Sequence, residues 1–347
     1  MTIYGIFSNG GVNRMKKRNE TLDILKGIAI LSVILGHAVQ RGLVYNFDST
    51  IIWRVVYSYH MPLFVLLSGF TLYLSNPTYN FEWVKRKFYR LIVPLISWTL
   101  LVELMCNFQF TGLKPFTIFP NSFYEFAKKS ILHPDWAFWF LWIIFIFMLT
   151  FYFIDKITKK YNSIRQYQMI FLIFIVILVF KVFNLPQGYF GVADVLNYFP
   201  IFICGYYLSK YKDYIFKYVK YTLLPSALLW IVLLNKWDSN DSIAHKYIMA
   251  IVAMITVYCL VKLLEKQLKW LTYFGKRSLE LYVCESIFLN IGISSGYIRV
   301  ISIFITATIC SLLFARILKT NKYTNFIAFG SFKSENKFRI KKIVTST

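Results

Sequence analysis

The sequence predicts an all-α protein, a polytopic membrane bundle of about ten transmembrane helices with both ends on the cytoplasmic side. Three observations carry this. Of 347 residues, 57% are hydrophobic and 20% aromatic while only 16% are charged, against about 25% charged in soluble domains. Apolar runs of the roughly 20 residues needed to cross a hydrocarbon layer about 30 Å thick follow one another along the chain. The Lys and Arg residues cluster in alternate gaps between these runs, as the preference of cytoplasmic loops for cations requires.

The spans are predicted at 22–41, 51–74, 91–110, 136–155, 168–184, 189–209, 221–236, 243–263, 278–297 and 298–318. The seventh is short enough to lie tilted or partly in the interface, and only Ser294, Ser295, Gly296 and Tyr297 make a turn between the last two. With the N-terminus inside, 29 of the 39 cations fall on the inner side and 8 on the outer, leaving Lys26 and Arg54 within spans. The net charge of +23 therefore has a topological origin. Its expected counter-charge is anionic lipid headgroup rather than nucleic acid.

The first span holds Asp23, Lys26 and His37, which excludes a cleaved signal sequence with its short uninterrupted apolar core. Cys106, Cys204, Cys259, Cys284 and Cys310 lie in or at the ends of spans without the paired spacing of a zinc or redox site, so they are expected to pack and no metal is predicted. Residues 1–21 form a cytoplasmic tail, 22–320 the single membrane domain, and 321–347 a basic cytoplasmic tail; 1–18 and 321–347 are expected to be loosely ordered.

Function is then sought among polar residues within the spans, each costly in hydrocarbon and usually turned to the bundle interior, a cavity or a partner. Lys26 and His37 are eleven residues apart, close to three helical turns, so they share one face of the first helix about 16 Å apart. Lys26 either snorkels to the inner headgroups beside Asp23 or serves a cytoplasmic ligand. His37 is either a hydrogen-bonded core histidine or a titratable group reached from the outer side. His60 is placed at a similar depth in the second span, and Ser68 and Gly69 below it suit close helix packing. Glu103 and Asp194 fall in the outer halves of their spans, and the cluster Trp136, Phe138, Trp139, Phe140 and Trp142 marks the outer end of the fourth.

The segment RNETLDILKGIAILSVILGHAVQ sets a basic residue and a histidine, Lys26 and His37, eleven residues apart. It is followed by HMPLFVLLSGF at 60–70, VKRKFYRLIVPLI at 84–96, WFLWIIF at 139–145, FPIFICGYYL at 199–208 and GKRSLELYVCESIF at 275–288. In these blocks, in this order, the chain resembles the membrane acyltransferase superfamily called acyltransferase family 3, and more closely its branch of stand-alone O-acetyltransferases of surface polysaccharides. It departs from that pattern where Lys87 and Arg90, with Arg86 one position out of register, stand for a pair of arginines. It departs again where Glu285 stands for a histidine of many relatives, so no catalytic role is carried over to Glu285.

The resemblance implies an enzyme in the bacterial plasma membrane that moves an acyl group, acetyl above all, from cytoplasmic acyl-CoA to a hydroxyl of a cell-surface or lipid-linked glycan. Acetyl-CoA is then a substrate and there is no resident cofactor. Lys26, Arg86, Lys87 and Arg90 are the candidates to hold the donor's phosphates, and His37 the candidate general base, with transient acylation of His37 as a second route. His60 either orients His37, donates to the developing oxyanion, or satisfies a buried partner. Glu103 or Asp194 either sets the imidazole tautomer or holds a sugar hydroxyl, and Trp139 either stacks on a sugar or belongs to the interfacial belt. A polytopic transporter or flippase is the competing class, although no internal symmetry of two halves is evident. A homo-oligomer is compatible with the sequence.

Overall fold

The computed structural model describes residues 19–43, 46–107, 132–133, 138–158, 170–171, 173, 190–215, 219–237, 242–293 and 295–332. Among them there are helices and no strands. The main helices are α1 (Glu20–Gly42), α2 (Ile51–Ser75), α3 (Phe81–Asn107), α4 (Trp139–Thr158), α5 (Val192–Lys210), α6 (Leu223–Asn235), α7 (Ile243–Leu263), α8 (Ser278–Phe288), α9 (Gly296–Leu318) and α10 (Lys322–Phe329).

The first two helices begin where side chains cap them. Asn19 accepts from the Leu22 amide and Thr50 from the Trp53 amide, satisfying N–H groups that a helix start leaves without carbonyl partners. The third starts ten residues before the predicted span, at Phe81, with Asn80 accepting from the Trp83 amide at 2.8 Å. Its first turns, FEWVKRKFYR, are too cationic to register as hydrocarbon-spanning, so the basic motif lies on a helix face.

Among the described residues, six helices are long and apolar enough to cross a membrane: Glu20–Gly42, Ile51–Ser75, Phe81–Met105, Trp139–Thr158, Ala244–Leu263 and Gly296–Leu318. The other predicted spans differ in kind. Most of 168–184 lies outside the described residues, as do 1–18 and 333–347. The sixth is the 19-residue α5. The seventh is a 13-residue helix, about 20 Å at 1.5 Å per residue, tied to α2 where the Trp230 indole donates to Ser58 Oγ at 3.1 Å.

The ninth predicted span is shortened to an 11-residue helix followed by non-helical backbone at 291–293. Helix α9 satisfies that backbone with its own side chains: Ser302 Oγ accepts from the Ile293 amide at 3.0 Å, and Thr306 Oγ1 donates to the Ile291 carbonyl at 2.9 Å. Irregular backbone at membrane depth persists only with such partners.

Helices α1 and α2 form the centre. Ile24, Ala29, Ile30, Ile34 and Ala38 of α1 and Val65 of α2 are fully buried in one core with Phe147 and Phe202. At the α2–α5 contact the backbones nearly touch: a Cβ on Gly69 would overlap the Phe202 carbonyl oxygen, and one on Gly205 the Leu66 carbonyl oxygen. Such reciprocal small-residue contacts are how membrane helices approach closely without a hydrophobic drive between them.

Residues 322–329 differ from the expectation of a loose tail. They form α10, capped by Asn321, whose Ala328 and Phe329 are buried against Leu95, Trp98 and Val102 of α3. Five of its eight residues are aromatic or aliphatic, too few to mark a span but enough to bury one face.

Candidate functional site

Continuity of α1 from Glu20 to Gly42 puts Lys26 and His37 on one rigid helix. Around His37 the bundle assembles groups from four other helices. Its Nδ1 lies 2.9 Å from Oε1 of Glu285 on α8. Glu285 is 2% exposed, whereas the His37 side chain is 34% exposed, so the ring presents one nitrogen to a buried carboxylate and keeps an open side. A carboxylate facing Nδ1 accepts a hydrogen bond from the N–H there and leaves the Nε2 lone pair as the basic site of the neutral ring. The second oxygen, Glu285 Oε2, is buried without a hydrogen-bond partner among the described residues, although buried polar atoms are generally paired.

His60, 4% exposed, sits close enough to His37 for the two to act on each other electrostatically. Its Nδ1 is 2.8 Å from the Val56 carbonyl oxygen of its own helix. A carbonyl can only accept, so Nδ1 carries the proton and Nε2 of the neutral ring is an acceptor. Of the three roles open in the sequence, the geometry supplies a buried partner, and a neutral His60 has no N–H to offer an oxyanion. Tyr57 packs edge-on against His60, ring centroids 4.6 Å apart, within electrostatic reach of Glu285 and Tyr198.

Asp194 and Trp139 converge on this neighbourhood through tyrosines. The Asp194 charge reaches Tyr198 and Tyr282, and the Trp139 ring lies 5.0 Å from that of Tyr198. Tyr282 is one turn before Glu285 on α8. Tyr57, Tyr198, Tyr282 and Trp139 thus gather with Asp194 in the neighbourhood of Glu285. Glu103 is fully buried on α3, next to Val102, which packs with Val283 and Cys284 of α8. The carboxylate within hydrogen-bond distance of His37 Nδ1 is Glu285. A sequence signal for it existed: an acid within LYVCESIF has to find a partner in a membrane bundle.

A second cluster lies at the other end of α1. Lys87, on α3, has Arg90, Lys26 and Arg86 as its cationic neighbours, and its ammonium sits over the Trp83 ring, 5.3 Å from the centroid. Arg86 and Arg90 are exposed while Lys26 and Lys87 are partly buried. Like charges gathered in this way raise the local potential for an anion. The carboxylate that reaches Arg90 is Glu280, which is already bonded to Lys319 at the end of α9. All four sequence-predicted cationic candidates thus fall together, and α1 connects them to His37.

Among the described residues the chain is thus a helical bundle with several membrane-length helices, a cationic cluster toward one end of α1 and a histidine–carboxylate pair toward the other. The chain belongs to acyltransferase family 3: the family's acyltransferase domain matches residues 19–319. It is 34% identical over 106 residues to the nodulation protein NolL of Sinorhizobium fredii (strain NBRC 101917 / NGR234), a match covering 28% of each chain. No solved structure matches.

Proposed function

We propose that this protein is an O-acyltransferase of the bacterial plasma membrane that transfers an acyl group, acetyl in the first instance, from cytoplasmic acyl-CoA to a hydroxyl of a cell-surface or lipid-linked glycan. The observation that carries the reading is the His37–Glu285 pair standing about 16 Å along one helix from Lys26, where the cationic cluster gathers. The excess of Lys and Arg in alternate loops supports an orientation with both termini, and so the cationic end, in the cytoplasm.

In this mechanism Lys26, Arg86, Lys87 and Arg90 hold the donor's phosphates by charge-assisted contacts, and the pantetheine arm extends along α1 toward His37. The Nε2 lone pair takes the proton of the acceptor hydroxyl as its oxygen attacks the thioester carbonyl. The tetrahedral intermediate collapses with breakage of the C–S bond, and the imidazolium returns its proton to the departing thiolate. Glu285 keeps Nδ1 protonated and stabilises the imidazolium while it lasts. Trp139 and Tyr198 supply ring faces for a sugar, and Asp194 an acceptor for its hydroxyls.

Membranes containing the protein are incubated with labelled acetyl-CoA and the surface-glycan fraction of the host. Label should enter the glycan with wild type and not with a folded His37→Ala variant. Undiminished transfer by His37→Ala would sink the mechanism, and transfer without a CoA thioester would remove the role of the cationic cluster.

A further inference from the structure

Beyond residue 319, where the family match ends, the chain builds a strap across α3. Helix α10 is fastened by two hydrogen bonds from α3: Ser97 Oγ donates to the Ile327 carbonyl at 2.7 Å, and the Trp98 indole donates to the Ala328 carbonyl at 2.8 Å. Gly330 ends the helix in the left-handed region, φ 64°, with no room for a side chain: a Cβ would overlap the Tyr89 carbonyl oxygen. Only glycine satisfies both conditions, and it lets the chain turn directly over Tyr89 and Arg90.

The turn delivers two aromatic rings to the cationic motif. Phe326 meets the Tyr89 ring edge-on, centroids 5.5 Å apart. Phe332 lies flat on Phe326, centroids 3.9 Å apart and planes within 11°. Tyr89 sits on α3 between Lys87 and Arg90, so the stack stands within about a helical turn of the groups assigned to the donor's phosphates. Phe332 is 58% exposed. Stacking on Phe326 fixes its orientation, so an arriving planar group meets a ring already in place.

We propose that Phe332 is a stacking platform for the purine base of the acyl-CoA donor, with the base on its open face and the phosphates on Lys87, Arg90 and Lys26. The inference rests on the donor reading above and adds recognition of the base to that of the phosphates. Two features favour a nucleotide over a lipid as occupant. The ring belongs to a stack that rests on Tyr89, the neighbour of Arg90 in α3, and cations with an aromatic ring on one stretch of helix suit a molecule carrying several phosphates beside an aromatic base. The parallel stack also continues naturally with another flat π-system, whereas an acyl chain gains nothing from ring orientation.

The test uses full-length protein in nanodiscs, the binding of CoA and of pantetheine, and turnover with acetyl-CoA and acetyl-pantetheine. Phe332→Ala and Phe332→Leu should each weaken CoA binding by between about fivefold and a hundredfold, the range for stacking one base on an aromatic ring. Pantetheine binding should not change, and Phe332→Trp should bind CoA as wild type does. An unchanged thermal midpoint in each variant confirms folding. Full restoration by leucine would mean an apolar anchor in the headgroup layer and overturn the proposal, as would equal losses for CoA and pantetheine. Wild-type protein that binds CoA but transfers no acyl group would refute the proposed function and leave the platform standing, while failure to bind CoA would refute both.

Discussion

Glu285 and His37 are 248 residues apart in the chain and 2.9 Å apart in the fold. The pair joins a short helix that stops part-way along its predicted span to the C-terminal third of the first full span. Replacing Glu285 by glutamine keeps an oxygen that can accept from Nδ1 but removes the charge that stabilises the imidazolium. Turnover should fall by about 10²-fold in Glu285→Gln and about 10³-fold in Glu285→Ala, within the range supplied by a positioned acid–base group. The KM for acyl-CoA should move less than threefold. Steady-state kinetics at saturating acceptor reads both quantities, and a rise in KM with unchanged turnover would assign Glu285 to binding.

His60 is expected to behave differently from His37. Its Nδ1 proton is committed to the Val56 carbonyl at 2.8 Å, a bond internal to α2 near the interruption at Pro62. His60→Gln offers an N–H to the same carbonyl and should retain transfer within about tenfold of wild type. His37→Gln should lose at least about 10²-fold. The same transfer assay compares the two, and equal losses would place His60 in the chemistry.

At the cationic end, Lys87→Ala and Arg90→Ala should raise the KM for acyl-CoA by about tenfold each, the loss of one charge-assisted hydrogen bond, with little change in turnover. Lys87→Arg keeps the charge and adds a planar fork for phosphate, so its KM should equal or fall below that of wild type. Initial rates across a series of acetyl-CoA concentrations decide this, and a turnover loss confined to Lys87→Ala would mean that the cluster acts at the reacting atoms.

Legibility in the sequence followed the length scale of each interaction. Helices α1 and α2 were predicted within two residues at each end because capping side chains and an apolar run sit in one stretch of chain, and the Lys26–His37 face followed from helical periodicity alone. The start of α3 was not, since hydropathy cannot see helical turns whose cations lie at the headgroup level. The partner of His37 depended on where α8 stops and on which way it faces, set by Ser302 and Thr306 of the next helix. The family pattern places a histidine at position 285 and pointed away from it. Helix α10 was missed because its hold on α3 runs through the carbonyls of Ile327 and Ala328, which carry no sequence signature.

The contact between Lys319 and Glu280 joins the end of α9 to the first turn of α8 with both side chains nearly buried, 6% and 12% exposed. Lys319→Met should strand the Glu280 charge and destabilise the protein by about 3–5 kcal/mol, the usual result of breaking a buried pair from one side. Replacing both, Glu280→Leu with Lys319→Met, should recover most of that loss, because two apolar side chains fill similar volume without desolvated charge. Glu280 is also the carboxylate that reaches Arg90. The double variant should therefore be stable and yet show an altered KM for acyl-CoA, the arginine having lost the charge of Glu280. Thermal unfolding in detergent measures the first effect and donor titration the second. A double variant as unstable as Lys319→Met alone would mean that the pair contributes net stability rather than positioning the ends of α8 and α9.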